Sequence, residues 1–593
     1  MSRSAQTLGD FARYLERVGE LHRVSVEVDP CLEITEIASR AVREGKPALW
    51  FERVRGSAFP LIINTLASDR RCELALGKHP EQLGEELISF LGDLFPPRPS
   101  AVWRQRAFAR RFLHAPVRRV RSGISQEVVE EPDLDALPVL TCWPGDGGRF
   151  FTLPQVVTYD PRNGKRNMGM YRMQVFDART TGMHWQIQKG GGFHYYQAEK
   201  LQRPFELAVA LGTDPALLMA TIAALPENID EAMFAGFLRG RRTEFAPGVS
   251  VGIDVPAHAE FVLEGDVPLF QRRREGPFGD HFGHYSHAAD FPFFRVRRIT
   301  RRRDAVYPAT VVGIPPMEDK FLGDATQLIL GPLARLVHAE VSALWAYYEA
   351  GFHNLLVVAV DQRYAKEAVK TALGLMGLAQ LALSKTIILV SEGVNVRDFS
   401  AVLKEVRDNF DPHFDFVLIP RAPLDTLDFT SFTMNLGSRM ILDATRKPMR
   451  PPRPPSAVEP ETRQLEHLRT AVHGINDLTL VDGTLLLVKT TGGGKDLVET
   501  LVRHPDVRGV RIVAAVSDDV DIRDPENRIW GLFTRFDCER DVVFTEARMI
   551  GISPVYGGVM GIDATWKPGY PEPLRMADEV RRKVEERWDS YWR

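Results

Sequence analysis

The densest run of reactive side chains in this sequence is Glu275-Gly-Pro-Phe-Gly-Asp280-His281-Phe-Gly-His284-Tyr-Ser-His287. Two carboxylates flank a Gly-Pro turn. If they converge on one pocket, burial and mutual repulsion keep one of them protonated and able to act as an acid. The evenly spaced histidines raise a zinc triad as an alternative, but a glycine-rich loop holds such spacing poorly.

Three further segments carry polar groups in unusual company. Asn167-Met-Gly-Met170-Tyr171-Arg172-Met-Gln-Val reads as a strand, with Met170 and Arg172 on one face and Tyr171 on the other. Arg172 then points inward, where a guanidinium needs a carboxylate or an anionic ligand to offset desolvation. A structural ion pair would satisfy it as well. In Gly182-Met-His184-Trp185-Gln186-Ile-Gln-Lys189-Gly190-Gly-Gly, a lysine stands beside three glycines. Their N–H groups could approach a phosphate closely, or the segment could be a flexible turn. Thr490-Thr-Gly-Gly-Gly-Lys495 lacks the first glycine and the hydroxyl of a phosphate-binding loop, and reads as a turn. Glu231 opens a helix whose apolar stripe is Phe234, Phe237 and Leu238. The helix dipole alone would favour a carboxylate there. Basic runs at 239–242, 272–274 and 301–303 have no interleaved aromatic residues and read as solvated surface, not a nucleic-acid site.

The elements that must hold these segments change texture along the chain. Leu8, Phe11, Leu15 and Val18 recur at helical spacing, residues 21–28 alternate like a strand, and 31–42 is helical again. Prolines at 96–99 suggest a first boundary. From about 115 to 310, short apolar runs separated by Gly, Pro, Asn and Asp predict a β-rich barrel or sandwich, interrupted by helical inserts at 204–211 and 231–238. Residues 324–351 read as helical. Strands at 355–360, 386–390 and 416–419 then alternate with helices at 366–381 and 399–409, an α/β pattern. Six prolines between 448 and 460 form a stiff connector.

The segment after that connector repeats the one before it. Val394-Asn-Val-Arg-Asp398 matches Val520-Asp-Ile-Arg-Asp524, Phe410-Asp411 matches Phe536-Asp537, and Asp443-Ala-Thr-Arg-Lys-Pro matches Asp563-Ala-Thr-Trp-Lys-Pro, in the same order. Three ordered matches predict a duplicated unit. Gly437-Ser-Arg439-Met faces Gly557-Gly-Val559-Met, so a basic residue of the first copy is missing from the second.

Length and composition set the outer bounds. At 593 residues the chain exceeds one hydrophobic core, and 44% hydrophobic with 26% charged residues is ordinary for globular proteins. Seventy-five basic against seventy-eight acidic residues leave a net charge of −3, which argues against a partner held by bulk charge such as nucleic acid. Cys31, Cys72, Cys142 and Cys538 are too scattered for a disulfide scaffold or zinc knuckle. No apolar leader opens the sequence and no run approaches the roughly 18 apolar residues of a membrane span. A soluble, cytoplasmic protein is the expectation.

Taken in order, these motifs resemble the UbiD family of prenylated-FMN-dependent decarboxylases. The resemblance rests on Asn167 to Arg172, Trp185 with Lys189-Gly190-Gly, Glu231 before Phe-Ala-Gly, the Glu275 to Asp280 turn, and Gly437-Ser-Arg439-Met-x-Leu-Asp-Ala-Thr. It spans about residues 5–450, and the tail from 461 is similar to an extra copy of the family's C-terminal unit. It implies an N-terminal α/β domain (1–110), a split β-barrel of flavin-reductase type that binds prenylated FMN (111–315) and a C-terminal α/β oligomerisation domain (316–450). A Pro-rich linker (451–460) and a second, diverged copy of that unit (461–593) would follow.

The resemblance also implies roles. Asn167 and Glu231 would hold a divalent metal, Mn²⁺ by analogy, with K⁺ near the cofactor phosphate. Met170, Tyr171, Arg172, His184, Trp185, Gln186, Lys189 and Gly190 would line the cofactor, and Arg439 would reach its phosphate. Arg172, Glu275 and Asp280 would form the catalytic network, Asp280 giving the proton. Lys189 departs from members with histidine as a third metal ligand, and is assigned to the phosphate. The reaction implied is non-oxidative loss of CO₂ from a hydroxylated aromatic acid. The long C-terminus points to the 1,4-dihydroxy-6-naphthoate type of menaquinone biosynthesis. Polyprenyl-4-hydroxybenzoate decarboxylation in ubiquinone biosynthesis, with peripheral membrane contact, or a phenolic-acid decarboxylase or carboxylase are the alternatives. A flavin prenyltransferase would supply the cofactor, and the protein would form a homo-oligomer, a dimer or hexamer. An FMN-binding oxidoreductase, or a non-catalytic assembly protein built on the repeat, are readings of a different class.

Overall fold

Leu8, Phe11 and Leu15 are buried along one face of the first helix, Leu8–Arg17, as their spacing predicts, while Val18 is an exposed C-cap residue. Thr7 closes the start of that helix by accepting the Asp10 N–H. The computed structural model describes residues 6–94, 99–186, 189–226, 229–447 and 462–593, so the proline connector at 451–460 lies outside the described residues. Two units divide the chain: Met1–Leu330 with Glu572–Arg593, and Gly331–Pro571. The last residues, expected with the second C-terminal copy, thus belong to the first unit.

In the first unit, strands Leu21–Val24, Ala48–Phe51 and Leu61–Ile63 form a sheet that Tyr307–Ala309 completes. Helix α1 (Glu33–Arg43) buries Ile34, Ile37, Ala38 and Ala41 in the same core. The central sheet is built from β1 (Val128–Glu130), β2 (Phe150–Phe151), β3 (Gln155–Tyr159), β4 (Arg166–Met170), β5 (Met173–Asp177), β6 (Thr180–Gly182), β7 (Phe205–Leu211), β8 (Phe261–Val267) and β9 (Phe293–Arg301). Its order is β2-β5-β6-β9-β8-β7-β3-β4, with β1 on β9.

That order explains the curl of the sheet. Strands β4 and β5 lie near opposite ends of it, yet only Tyr171 and Arg172 separate them. Three Cα steps reach at most about 11 Å, so the two ends must curve toward each other into a half-barrel. Residues 167–175, expected as one strand, are therefore two strands broken at Tyr171 and Arg172. Two more expectations are corrected. Residues 204–211 form β7, a central strand buried almost throughout, not a helix. A short apolar run has no period that separates a buried strand from a helix. Residues 324–351 stay α-helical only to Leu330, and a 3-10 helix at Gly331–Leu336 and a strand at Val341–Ala346 follow.

The second unit holds two five-stranded sheets. The first joins β10 (Val341–Ala346), β11 (Leu355–Val360), β12 (Thr386–Ser391), β13 (Phe416–Pro423) and β14 (Leu436–Asp443) in the order β10-β11-β12-β14-β13. The other joins β15 (Asp477–Val481), β16 (Leu485–Thr490), β17 (Ile512–Ser517), β18 (Val542–Ile550) and β19 (Ser553–Ala564) in the order β15-β16-β17-β19-β18. The senses agree pair by pair: antiparallel, parallel, parallel, antiparallel. All four cysteines are free. Among the described residues no helix is long and apolar enough to cross a membrane.

Candidate active site

The 275–280 turn is folded by two short ladders. Arg273–Glu275 pairs with Ala289–Phe291, and Phe278–Gly279 with Tyr285–Ser286. Between them Gly276 takes a φ of +92°, open to glycine but strained for other residues. Three outside groups fix the bend. The Gln174 side-chain oxygen accepts the Gly276 N–H at 2.8 Å, the Gly147 N–H donates to Pro277 O at 2.7 Å, and Asp146 Oδ1 accepts the Gly279 N–H at 2.7 Å. Burial pushes the Asp146 carboxyl up to about 6, against the hydrogen bonds it accepts from Gly279, Trp143 and Cys142.

Arg172 joins both acids across this hairpin. Its Nε donates to Glu275 Oε1 at 3.3 Å, its Nη1 to Asp280 Oδ2, and its Nη2 to Ser286 Oγ at 2.8 Å. The guanidinium also lies 4.9 Å from the centre of the Phe278 ring. Glu275 is fully buried, and Arg172 and Asp280 nearly so. His184 brings Nδ1 within 3.0 Å of Glu275 Oε1 and packs its ring on Phe291 at 4.2 Å. Gly182 is small for a reason: a Cβ there would stand 2.5 Å from Glu275 Oε2.

Charge in this pocket is unevenly shared. Burial alone would raise the Asp280 carboxyl, but the His281 hydrogen bond and the charges of His281 and Arg172 outweigh it and hold Asp280 well below the usual carboxylate range. The expectation of a resting protonated acid therefore does not hold for Asp280, which stands ionised. Burial, then the Arg172 charge, lowers His184, so its ring is neutral. The histidine triad is not assembled: His281 Nδ1 faces Asp280 Oδ1 at 2.7 Å and His284 Nδ1 faces Phe282 O at 3.0 Å. Among the described residues no group of three His, Cys, Asp or Glu side chains is arranged around a metal.

A second cluster adjoins the first through the β4–β5 link. Tyr171 is buried, its hydroxyl accepting the Gly191 N–H at 3.1 Å and the Asn167 Nδ2–H at 3.4 Å. Burial raises that phenol to about 12, so it is neutral. Gly190–Leu201 is helix α2, with Lys189 at its N-cap, so the three glycines are the first turn of a helix and not a flexible loop. A Cβ on Gly190 would collide with Asn167 Oδ1, and one on Gly191 would stand 2.8 Å from Trp185 Nε1. Glu231 begins helix α3 (Glu231–Arg239), and its Oε2 accepts the Met168 N–H at 2.9 Å. Burial pushes its carboxyl up to about 7, so a cation here would be strongly favoured. Met170 and Gln186 are half-buried at the edges of this cluster. Arg439, expected at a phosphate, lies on β14 of the other unit and donates through Nε to Pro423 O at 3.0 Å.

The pocket has polar capacity that the chain does not use. Glu275 Oε2, His184 Nε2 and Trp185 Nε1 are buried with no hydrogen-bond partner among the described residues. Leaving such groups unmatched costs about 1–3 kcal/mol each, which fits a site completed by a polar, planar ligand. The glycine-opened start of α2 fits an anionic end of that ligand. Sequence reasoning missed Ser286, Asp146 and Gln174. A serine or glutamine on a short strand carries no signal until its partner is known, though the Gly145-Asp-Gly-Gly148 turn hinted at Asp146.

Comparison with known proteins gives the family. The 3-octaprenyl-4-hydroxybenzoate carboxy-lyase N-terminal, Rift-related and C-terminal domain models match residues 12–91, 117–315, and 320–444 with 460–564. A Chlamydia pneumoniae protein named as a subunit of 4-hydroxybenzoate decarboxylase is 34% identical over 97% of this chain and 96% of its own. The closed form of Sedimentibacter hydroxybenzoicus vanillic acid decarboxylase superposes with a TM-score of 0.69 at 26% identity, over 79% of this chain and 99% of that one. An evolved dimeric form of the UbiD-class enzyme HmfF from Pelotomaculum thermopropionicum, in complex with prFMN, gives 0.63 at 26% identity over 75% and 95%. With three domain models in sequence order and the two acids gathered on one arginine, this chain belongs to the UbiD family of aromatic-acid carboxy-lyases.

Proposed function

We propose that the chain removes CO₂ non-oxidatively from a hydroxylated aromatic acid, with prenylated FMN held in the half-barrel, which we read as a split barrel of flavin-reductase type. The observation that carries this reading is the buried Arg172 bridge between Glu275 and Asp280, beside unmatched polar atoms. Asn167 and Glu231 would hold a divalent cation such as Mn²⁺, with K⁺ near the phosphate, and Lys189 with the first turn of α2 would take the phosphate itself. Bound there, the modified flavin supplies the electron sink that decarboxylation of an aromatic ring requires.

The chain's own residues do the rest. Arg172 orients the substrate carboxylate. A second anion on Arg172 weakens its hold on Asp280, so Asp280 can take a proton from His281, whose Nδ1 stands 2.7 Å from it, and deliver it to the ring carbon, His281 regaining a proton from solvent. Phe278, Phe291 and the apolar wall keep water from the leaving group and favour neutral CO₂ over a carboxylate. A flavin prenyltransferase would supply the cofactor.

Two substrate types compete. The name of the full-length chlamydial relative supports the 4-hydroxybenzoate type. The two alike C-terminal sheets, which we read as a tandem duplication, support the 1,4-dihydroxy-6-naphthoate type of menaquinone synthesis. Protein reconstituted with prenylated FMN and Mn²⁺ should release CO₂ from one of these acids and not the other, as measured by headspace gas and product chromatography. Polyprenyl-4-hydroxybenzoate belongs in the same panel. Release that is unchanged in Glu275→Gln would defeat the proposal.

A further inference from the structure

The catalytic hairpin is held from its far side by the end of the chain. After the second C-terminal sheet the backbone returns to the first unit at Glu572. There it lies antiparallel beside the residues that follow Asp280. The Tyr285 N–H donates to Glu572 O at 3.2 Å, the Leu574 N–H donates to Gly283 O at 2.9 Å, and His284 pairs with Pro573 as an isolated bridge. His284 O in turn accepts the Asp280 N–H at 3.1 Å, and Asp280 O accepts the Gly283 N–H at 2.9 Å. Residues 572–574 thus supply main-chain partners to Gly283 and Tyr285 from outside the hairpin, while the Gly145 N–H donates to the Tyr285 hydroxyl at 2.9 Å. Leu574 is buried and sits against Gly279, where a Cβ would come within 2.8 Å of it.

This return segment is anchored independently of the site. Helix α4 (Asp578–Tyr591) lies on α1 and surrounds Glu33. Lys583 donates to Glu33 Oε2 at 2.8 Å, while Arg587 Nη1 at 2.5 Å and the Tyr591 hydroxyl at 2.8 Å donate to Oε1. His22 Nε2 meets Tyr591 O at 2.8 Å, and the Arg40 guanidinium covers the Trp588 ring at 4.1 Å. Glu33 and Tyr591 are buried. The C-terminal match ends at residue 564, so residues 572–574 and α4 lie outside the matched ranges, while their partners His22, Glu33 and Arg40 lie in the N-terminal one.

We propose that residues 572–574, tethered by α4, are a positioning strap that fixes Asp280 against Arg172 and so sets the rate of proton delivery to the substrate ring. The strap never touches the reacting atoms. It acts by removing freedom from a turn that carries glycines at 279 and 283. This rests on the decarboxylase reading for its rate arm and on geometry alone for its motional arm.

The test uses the full-length holoenzyme and three variants: Leu574→Ala, the conservative Leu574→Met, and the anchor pair Lys583→Met with Arg587→Met. Amide hydrogen exchange of residues 280–285 is measured first. Leu574→Ala and the anchor pair should speed it by about tenfold or more, while exchange in the central strands stays as in the parent. In the same two variants kcat should fall by about tenfold or more with KM and FMN affinity nearly unchanged, since misplacement of a positioned group slows the step without weakening binding. Leu574→Met should restore both. Unchanged exchange in Leu574→Ala and the anchor pair overturns the strap, even if the protein decarboxylates nothing. Faster exchange with kcat intact overturns its role in turnover. A parent enzyme inactive on every aromatic acid sinks the decarboxylase reading instead, and the exchange result then still decides whether the strap holds the turn.

Discussion

Two kinds of buried charge coexist in this molecule. Around Arg172 the carboxylates are gathered but incompletely matched, with Glu275 Oε2 and His184 Nε2 left over. At the ends of β14 and β19 the carboxylates are closed off. Asp443 Oδ1 accepts the Thr445 N–H at 3.2 Å, its hydroxyl at 2.5 Å and Lys447 Nζ at 2.8 Å. Asp563 repeats the arrangement with Thr565 and Lys567. Burial raises Asp443, but the Lys447 charge, the hydrogen bonds from Lys447 and Thr445 and the Lys366 charge together outweigh it, so this acid is ionised as well. The contrast teaches that burial and ion pairing do not mark function. What separates the clusters is whether polar capacity remains for something else. A closed cluster holds its sheet; an open one waits for a ligand.

The contrast can be broken most sharply by removing the centre of each cluster. Arg172→Ala should lower kcat/KM for CO₂ release by about 10²–10³-fold, as loss of a preorganised charged donor does, with the protein still folded by circular dichroism. A variant that keeps its turnover would place Arg172 with the structural pairs. Asp443→Ala should do the reverse. It leaves Lys447 poorly matched and should cost about 3 kcal/mol in urea unfolding, while activity per folded molecule persists. Equal stability of parent and variant would show the closed cluster to be dispensable.

Glycines beside the two kinds of acid give a finer comparison. A Cβ on Gly182 stands against Glu275 Oε2, and one on Gly494 against Asp563 Oδ1. Each alanine variant should cost about 1–3 kcal/mol from overpacking. Glu275 Oε2 has no hydrogen-bond partner to hold it while Asp563 Oδ1 is pinned by Thr565, so Gly182→Ala should disturb turnover more than the melting temperature, and Gly494→Ala the melting temperature more than turnover. The opposite ranking would refute the distinction.

The smallest effect expected is one of pH. Asp280 is held below its ordinary value of 3.8, so the unfolded chain binds that proton more readily than the folded one. Its contribution to stability is therefore complete above about pH 4 and is lost as the pH falls further. Unfolding of the parent and of Asp280→Asn, compared from pH 7 downward, should show a gap that narrows on acidification. A gap that widens would mean that Asp280 is not held as an anion.

Much of this was legible in the residues. The amphipathic spacing of Leu8, Phe11 and Leu15, the α/β alternation after 355, and the helix opened by Glu231 all follow from local pattern. The residues themselves said only that a buried guanidinium at Arg172 needs a carboxylate or an anion; its meeting with Glu275 and Asp280 was implied by the family resemblance. The failures were non-local. Residues 205–211 became a strand because β8 and β3 flank them on both sides, and nothing within seven apolar-rich residues could say so. Residues 341–346 turned from helix to edge strand by pairing with β11.

The sequence by itself determined the reactive groups, the glycines that let them approach, and two C-terminal segments alike enough to build sheets of one order. These depend on side-chain chemistry and short-range period. Tertiary structure alone decided that β4 and β5 would bend apart at Arg172, that His281 would hold Asp280 as an anion, and that Glu572–Arg593 would come back to the catalytic turn. The first and last of those depend on groups far apart along the chain, and so does the Arg172 charge that joins His281 in holding Asp280; such pairing energy exists only once the fold has brought the groups together.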